Sequence, residues 1–322
     1  MTQPFTLTWT ETNTHLRYSL SDYSLFSLPL VARTYAVPLA PLLPSTFKTD
    51  LEVFLKSAPE DIPLLCIRNL PIDHPMPRLQ SVDRRLQYTV NQCYQYYADL
   101  SGSFDGYLVS LSAKTRSTLK RKVKKFASLG GDQVDWRVYT NAEQMDEYHS
   151  LAREVASKTY QERLFNGALP ADDRFRGDLR DLAAAGRVRG YLLFLKGAPV
   201  AYLHLPIHDG VVEYAYLGYD PAHADVSPGS VLLSLALQDL FATQRFRYLD
   251  FSYGRGQTKE VFSTAKYLRA DVFYFTASFK HYVATYGHMA LDSTSSMLGR
   301  TLESIHLHTA VKRLLRRGGA AA

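Results

Sequence analysis

The sequence predicts a mixed α/β fold: a central α+β unit built on a mixed sheet, preceded by a smaller α/β domain. Two observations carry this. Hydrophobic residues make up 46% of the 322, enough for a sizeable core. Residues 188–195, 200–207 and 211–219 then form three strand-like runs in quick succession, separated by Lys196-Gly197 and Asp209-Gly210. Those dipeptides suit two-residue hairpin turns, so an antiparallel meander lies inside an order of alternating helices and strands. A purely parallel sheet is thereby excluded.

The elements follow in order. Residues 5–10, 23–31 and 64–67 are strand-like, and Pro29, Pro38, Pro41, Pro44 and Pro59 punctuate them. Residues 81–98 read as a helix, because Val82, Leu86, Val90, Cys93 and Tyr97 recur three or four apart. A boundary is expected at the glycines 102 and 106, giving a first domain over 1–104, a second over 105–277 and a helical segment over 278–322 with a basic tail. In the second domain a strand over 107–111 precedes a helix over 115–129, whose apolar stripe is Leu119, Val123 and Phe126. A strand follows over 135–139, and Thr140 with Glu143 reads as a capping box for a helix to Ala156. A long loop over 157–172 leads to a helix over 174–185. After the meander come a helix over 229–243, a strand over 248–252, a helix over 258–268 and a strand over 271–276.

Net charge is +6, concentrated in 114–125 and 300–317. That balance suits an anionic ligand, a nucleic acid or a membrane surface without choosing among them. Cys66 and Cys93 fit neither a disulfide spacing nor a metal pattern and read as reduced core thiols. The N-terminus lacks a basic region followed by an apolar run. No apolar stretch approaches the roughly 20 residues of a membrane helix, so the expected location is cytoplasmic.

Two segments carry chemistry. After the third meander strand, Asp220-Pro221 opens a loop that delivers Ser227-Pro228-Gly229-Ser230-Val231 to a helix start. Free backbone N–H groups and the dipole make such a start a phosphate site, although Ser before Pro also suits an ordinary cap. Further on, Asp250-Phe251 is followed by Gly254, Lys259 and Phe262. With the basic helix after Ser112-Ala113-Lys114-Thr115-Arg116, this resembles the GNAT acyltransferases. It is similar in particular to the bacterial subfamily linked to cellulose and exopolysaccharide biosynthesis, which is related to Fem-type peptidyltransferases. The resemblance spans roughly residues 105–277 and departs from the usual pyrophosphate loop, where Ser227, Gly229 and Ser230 stand instead of an Arg or Gln and two spaced glycines.

The resemblance implies a GNAT-like fold and an N-acyltransferase that uses acetyl-CoA or another acyl-CoA as co-substrate, without a metal. The acceptor would be an amine of a sugar, an amino acid or a cell-envelope or exopolysaccharide precursor. The donor arm would enter where the strand with Tyr216, Leu217 and Gly218 splays from its neighbour 248–252, with Ser227, Gly229, Ser230 and Val231 at its phosphates. Candidates for proton transfer are Glu213, His204, Asp250 and Tyr253, each with a structural alternative as an ion pair, core residue or strand end. Lys259 is the expected substrate cation, since a cation at a helix start is otherwise disfavoured. Arg116 and Arg121 are candidates for a ligand phosphate. Lys158, Tyr160 and Gln161 in the long loop are candidate acceptor contacts. A Fem-type aminoacyl-tRNA donor, a non-catalytic GNAT-fold binding subunit and contact of the basic tail with a membrane stay open, as does the oligomeric state.

Overall fold

A computed structural model describes residues 9–20, 23–37, 51–53, 55, 62–159, 169–254 and 256–304. Within those limits the chain forms two compact units, one drawn from Met1–Cys93 with Leu268–Ala322 and one from Tyr94–Tyr267.

In the first unit, β1 (Thr10–Leu20) pairs antiparallel with β2 (Tyr23–Ala36), which runs parallel to β3 (Leu64–Ile72). Strand β12 (Ala265–Thr276) pairs antiparallel with β3. Strand β3 is apolar on both faces: Leu65 and Ile67 join one cluster, Leu64 and Cys66 another. The helix expected over 81–98 is instead a hairpin, β4 (Leu79–Val82) with β5 (Arg85–Asp99). Asp83, at φ 51°, makes the tight turn. Leu86 and Tyr88 are buried with two-residue spacing, which the coincident helical spacing masked. Burial pushes the Cys66 thiol up to about 11, in keeping with an inert core cysteine.

The second unit contains the meander and every described candidate site residue. Ser103 accepts the N–H of Gly106 and starts α1 (Phe104–Ser110), so the strand expected over 107–111 is a helix. Helix α2 (Ala113–Leu129) follows, with Leu119 and Phe126 buried. The expected capping box lies one residue on: the N–H of Asn141 donates to Gln144 Oε1 at 3.3 Å, before α3 (Met145–Ala156). Asp172 caps α4 (Asp173–Ala184).

The sheet of this unit runs β6 (Asp135–Tyr139), β7 (Val188–Leu195), β8 (Ala198–His208), β9 (Val211–Glu213), β11 (Tyr248–Tyr253) and the end of β5. Both hairpin turns form as read, with Lys196, Gly197, Asp209 and Gly210 all at positive φ. The third meander strand is broken into β9 and β10 (Tyr216–Tyr219), and both pair with β8. Helix α5 (Pro228–Thr243) is apolar around most of its surface and buried accordingly. Its Asp239 accepts from Arg189 at 2.7 Å and from the Tyr191 hydroxyl at 2.8 Å. Helix α6 (Gln257–Phe262) is shorter than expected. It ends at Ser263, and the Thr264 N–H donates to the Tyr97 carbonyl at 2.9 Å before β12 begins. In the first unit, α7 (Phe279–Ser304) packs on β1, and the basic tail beyond it lies outside the described residues.

Gly218 is where β10 meets a ring. A Cβ there would stand 2.4 Å from Cε1 of Tyr202. Gly218→Ala is expected to cost about 1–3 kcal/mol in urea unfolding, by overpacking. Combining it with Tyr202→Leu should cost less than the sum of the single changes.

Candidate functional site

The site begins with one extra residue. On β8, Ile207 faces Val212 of β9, but three residues earlier His204 faces Tyr216, four residues further along. That mismatch is a β-bulge across Glu213, Tyr214 and Ala215. Before the bulge, β9 runs parallel to β11, with Val212 beside Leu249 and Glu213 beside Asp250. The Tyr214 N–H still donates to the Asp250 carbonyl at 2.8 Å. There the pairing ends, and among the described residues β10 pairs only with β8. The Asp220 N–H donates to the Val200 carbonyl, so by alternation the main-chain groups of Leu217 and Tyr219 turn away from β8.

A cavity of about 350 Å³ occupies the divergence. Its walls are Glu213, Tyr214, Ala215 and Tyr216 on one strand, Phe251 and Ser252 on the other, and Lys259 of α6. Strand β11 distorts here as well: Ser252 has φ 65° and the register to β5 shifts between Asp250 and Tyr253. Asp250 Oδ1 accepts from the Ser252 N–H and from Gln95 Nε2, both at 2.6 Å. Burial raises the Asp250 pKa above its ordinary value. The Ser252 and Gln95 bonds and Lys259 work against the rise, and the charge of Glu213 adds to it. Glu213 itself is exposed. Lys259 Nζ donates to the Tyr253 carbonyl at 2.6 Å, which tethers it against the cavity. The Tyr253 side chain is 53% exposed and stands outside the cavity wall.

His204 lies behind Tyr216, ring centroids 5.9 Å apart, among Tyr148 and Phe175. It is buried, its Nδ1 has no hydrogen-bond partner, and burial lowers its pKa to about 4, helped by His149. It is a neutral imidazole in an aromatic nest.

A second cavity, of about 290 Å³, lies on the other side of α6. Lys114, Thr115, Thr118, Leu119 and Lys122 of α2, Ser230 of α5, and Gln257, Thr258, Val261 and Phe262 of α6 line it. The sequence reading named Ser230 but missed Lys114 and Lys122 as a pair. Their eight-residue separation, two turns of one stripe, is the signal that marks them. The arginines singled out on α2 do other things. Arg116 Nη1 donates to the carbonyls of Leu108 and Val109 and so closes the end of α1. Arg121 is exposed and lines neither cavity.

The remaining candidates are structural or lie elsewhere. Gly229 is buried where a Cβ would meet Leu217 at 3.0 Å and Tyr219 at 3.3 Å, so it seats α5 on β10. Val231 points into the core. Ser227 sits in the left-handed region and makes no side-chain cap bond. Lys158 pairs with Glu154 and Asp220, each at 3.4 Å. Tyr160 and Gln161 lie outside the described residues. Among the described residues no group of His, Cys, Asp and Glu could hold a metal, and no helix is long and apolar enough to cross a membrane.

Residues 113–260 match the family described as an acetyltransferase (GNAT) domain. Over those residues the chain is similar to GNAT acetyltransferase domains, and its mixed sheet is the GNAT fold. No curated protein matches the chain. Among solved structures, FemX shares 11% identity at a TM-score of 0.51, over 85% of this chain and 90% of that one. The C-terminal domain of a putative lysylphosphatidylglycerol synthetase from Agrobacterium fabrum shares 11% at 0.48, over 80% of each chain. A GCN5-related N-acetyltransferase from Kribbella flavida shares 16% at 0.35, over 77% and 82%. At 11% identity the likeness to FemX is one of fold.

Asp250 gives the site a pH signature. Its folded pKa lies above the unfolded value of 3.8, so its neutral form contributes stability below that pH. The contribution is lost as the pH rises through the folded value. Asp250→Asn keeps the acceptor for the Ser252 N–H. It should therefore gain stability relative to the native protein as the pH rises from the unfolded value of 3.8 through the folded one in denaturant titrations. A difference that stays constant across that range would show that burial does not perturb Asp250.

Proposed function

We propose that the chain is an N-acyltransferase that moves an acyl group, acetyl in the simplest case, from an acyl-CoA to an amine. The observation that carries this is the parting of β10 from β11 beyond the Glu213–Asp250 pair, with a cavity between the strands. An extended thioester arm fits such an opening. Leu217 and Tyr219 turn main-chain groups away from β8, where they serve an amide-bearing chain and a developing oxyanion.

The chemistry then has named parts. The acceptor arrives as an ammonium ion and must lose a proton before its nitrogen can attack. Glu213 is the carboxylate on the cavity wall and takes that proton. Asp250, beside it in register, adds negative character and favours a cationic acceptor. The C–N bond forms, the C–S bond breaks, Tyr216 on the wall protonates the departing thiolate, and the second proton that the nitrogen sheds on becoming an amide restores the Tyr216 hydroxyl. Lys259 faces the same cavity and holds a negative group of the acceptor, which suits an amino acid or an anionic sugar or cell-envelope precursor. His204 stays neutral behind Tyr216 and positions that ring.

A second reading, an aminoacyl-tRNA donor, is favoured by one feature: Lys120, Arg121 and Lys124 are exposed on one basic helix.

Release of CoA thiol from acetyl-CoA, followed across a panel of amines, tests the proposal. Glu213→Gln should lower kcat by about 10²- to 10⁴-fold with the KM for the donor little changed. Full activity in that variant at every pH would remove Glu213 from the mechanism. Salt-sensitive RNA binding without any response to acyl-CoA would replace the donor.

A further inference from the structure

Strand β5 brings a further group to Asp250. Tyr97 of β5 stands opposite Asp250 in register, and the irregularity that follows sets Gln95 opposite Tyr253. Gln95 therefore reaches Asp250 along the diagonal, and its Nε2 donates to Asp250 Oδ1 at 2.6 Å. Gln95 is 6% exposed, and its Oε1 is buried without a hydrogen-bond partner among the described residues. An ionised carboxylate only accepts, so the amide can serve it in one orientation, with Nε2 toward Asp250 and Oε1 left over. A buried carbonyl with no donor is destabilising, and a methionine of similar size would avoid that cost. What Gln95 supplies and methionine cannot is the N–H at Asp250.

The surroundings oppose a charge at Asp250. Burial disfavours its ionised form, and from β9 the charge of Glu213, beside it in register, repels it. From α6 Lys259 attracts it, although the Lys259 Nζ is bound to the Tyr253 carbonyl at 2.6 Å. From β5 come the Gln95 amide and the phenol of Tyr97, which packs edge-on to Tyr248 of β11. Burial raises the Tyr97 pKa, so that phenol stays neutral and adds no charge. On β11 itself the Ser252 N–H donates to Oδ1 at 2.6 Å. Two hydrogen bonds to one oxygen and the Lys259 charge thus counter burial and Glu213. The Ser252 bond belongs to the main chain, and the Gln95 bond belongs to a side chain that substitution can remove.

We propose that Gln95 is a positioning residue for the transfer reaction: it holds Asp250 ionised beside Glu213, so that the two carboxylates together draw a cationic acceptor to the cavity wall. The hold on Asp250 stands on the hydrogen bonds. Its use in acceptor binding rests on the acyl transfer proposed above, and the test separates the two.

Carbon-13 NMR of the full chain, labelled at the aspartate carboxyls, follows the titration of Asp250, and the signal missing from Asp250→Asn identifies it. Gln95→Met removes the donor at similar size and should move that titration to higher pH. Gln95→Asn withdraws the amide by one methylene and should move it in the same direction by less. Because the unfolded chain is unaffected, Gln95→Met should lose stability relative to the native protein as the pH rises through the two folded values. In acetyl-CoA turnover, Gln95→Met should raise the KM for the amine of highest turnover by about two- to fivefold, as loss of one opposite charge at a partly exposed site does, with the donor KM unchanged. In an Asp250→Asn background the same substitution should leave the amine KM where it is. An Asp250 titration identical in the native protein and Gln95→Met would overturn the proposal. So would an amine KM that stays fixed although the titration moves. A KM loss of equal size in the Asp250→Asn background would reduce Gln95 to packing and overturn it as well. A titration that moves, in a chain that turns over acetyl-CoA with no amine, would leave Gln95 as the holder of Asp250 and remove the acyl-transfer reading.

Discussion

A parallel strand pair hydrogen-bonds along its length unless something bends one member away. Here the bend comes from the residue inserted between Val212 and Tyr216. Up to Glu213 the strand serves both neighbours, β8 on one side and β11 on the other. After the bulge it serves β8 alone, and its other edge is left facing a cavity. An unpaired strand edge is costly inside a protein, because each main-chain N–H and C=O wants a partner. A fold that keeps one beside a cavity has a place ready for a ligand that brings its own amides.

The same distortion arranges the side chains. Because the bulge follows Glu213, this residue is still in register with Asp250, and the two carboxylates stand on adjacent strands at the last paired position. The kink in β11 at Ser252 aims a backbone N–H at Asp250 Oδ1, and that bond offsets part of the rise that burial imposes on the more buried of the two carboxyls. Helix α6 then separates two electrostatic regions. One side of it faces the cavity with the carboxylate Glu213, the other the cavity with Lys114 and Lys122.

Much of this was legible in the sequence. The dipeptides Lys196-Gly197 and Asp209-Gly210 gave the meander, because two consecutive positive φ values suit few other pairs. The opening between residues 211–219 and 248–252 followed from the family-like motif, not from periodicity, which read 211–219 as one strand. A bulge leaves no mark in a hydrophobic pattern when the extra residue is a tyrosine or an alanine among other apolar residues. Residues 81–98 failed for a related reason. Their apolar positions satisfy a helical spacing and a strand spacing together, and only burial on both faces of 85–89 decides between them.

The glycines teach a sharper distinction. Small residues near a helix start invite a phosphate reading, and Gly218 and Gly229 both sit where one would look. Yet each is explained by what a Cβ would strike, the Tyr202 ring in one case and Leu217 with Tyr219 in the other. Their smallness lets α5 lie close on β10, and that close seating puts the first turn of α5 within reach of α2. Lys122 meets Ser230 because the helix is packed this tightly. The glycines act through packing, and the cation that reaches Ser230 comes from a helix whose arginines had seemed the better candidates.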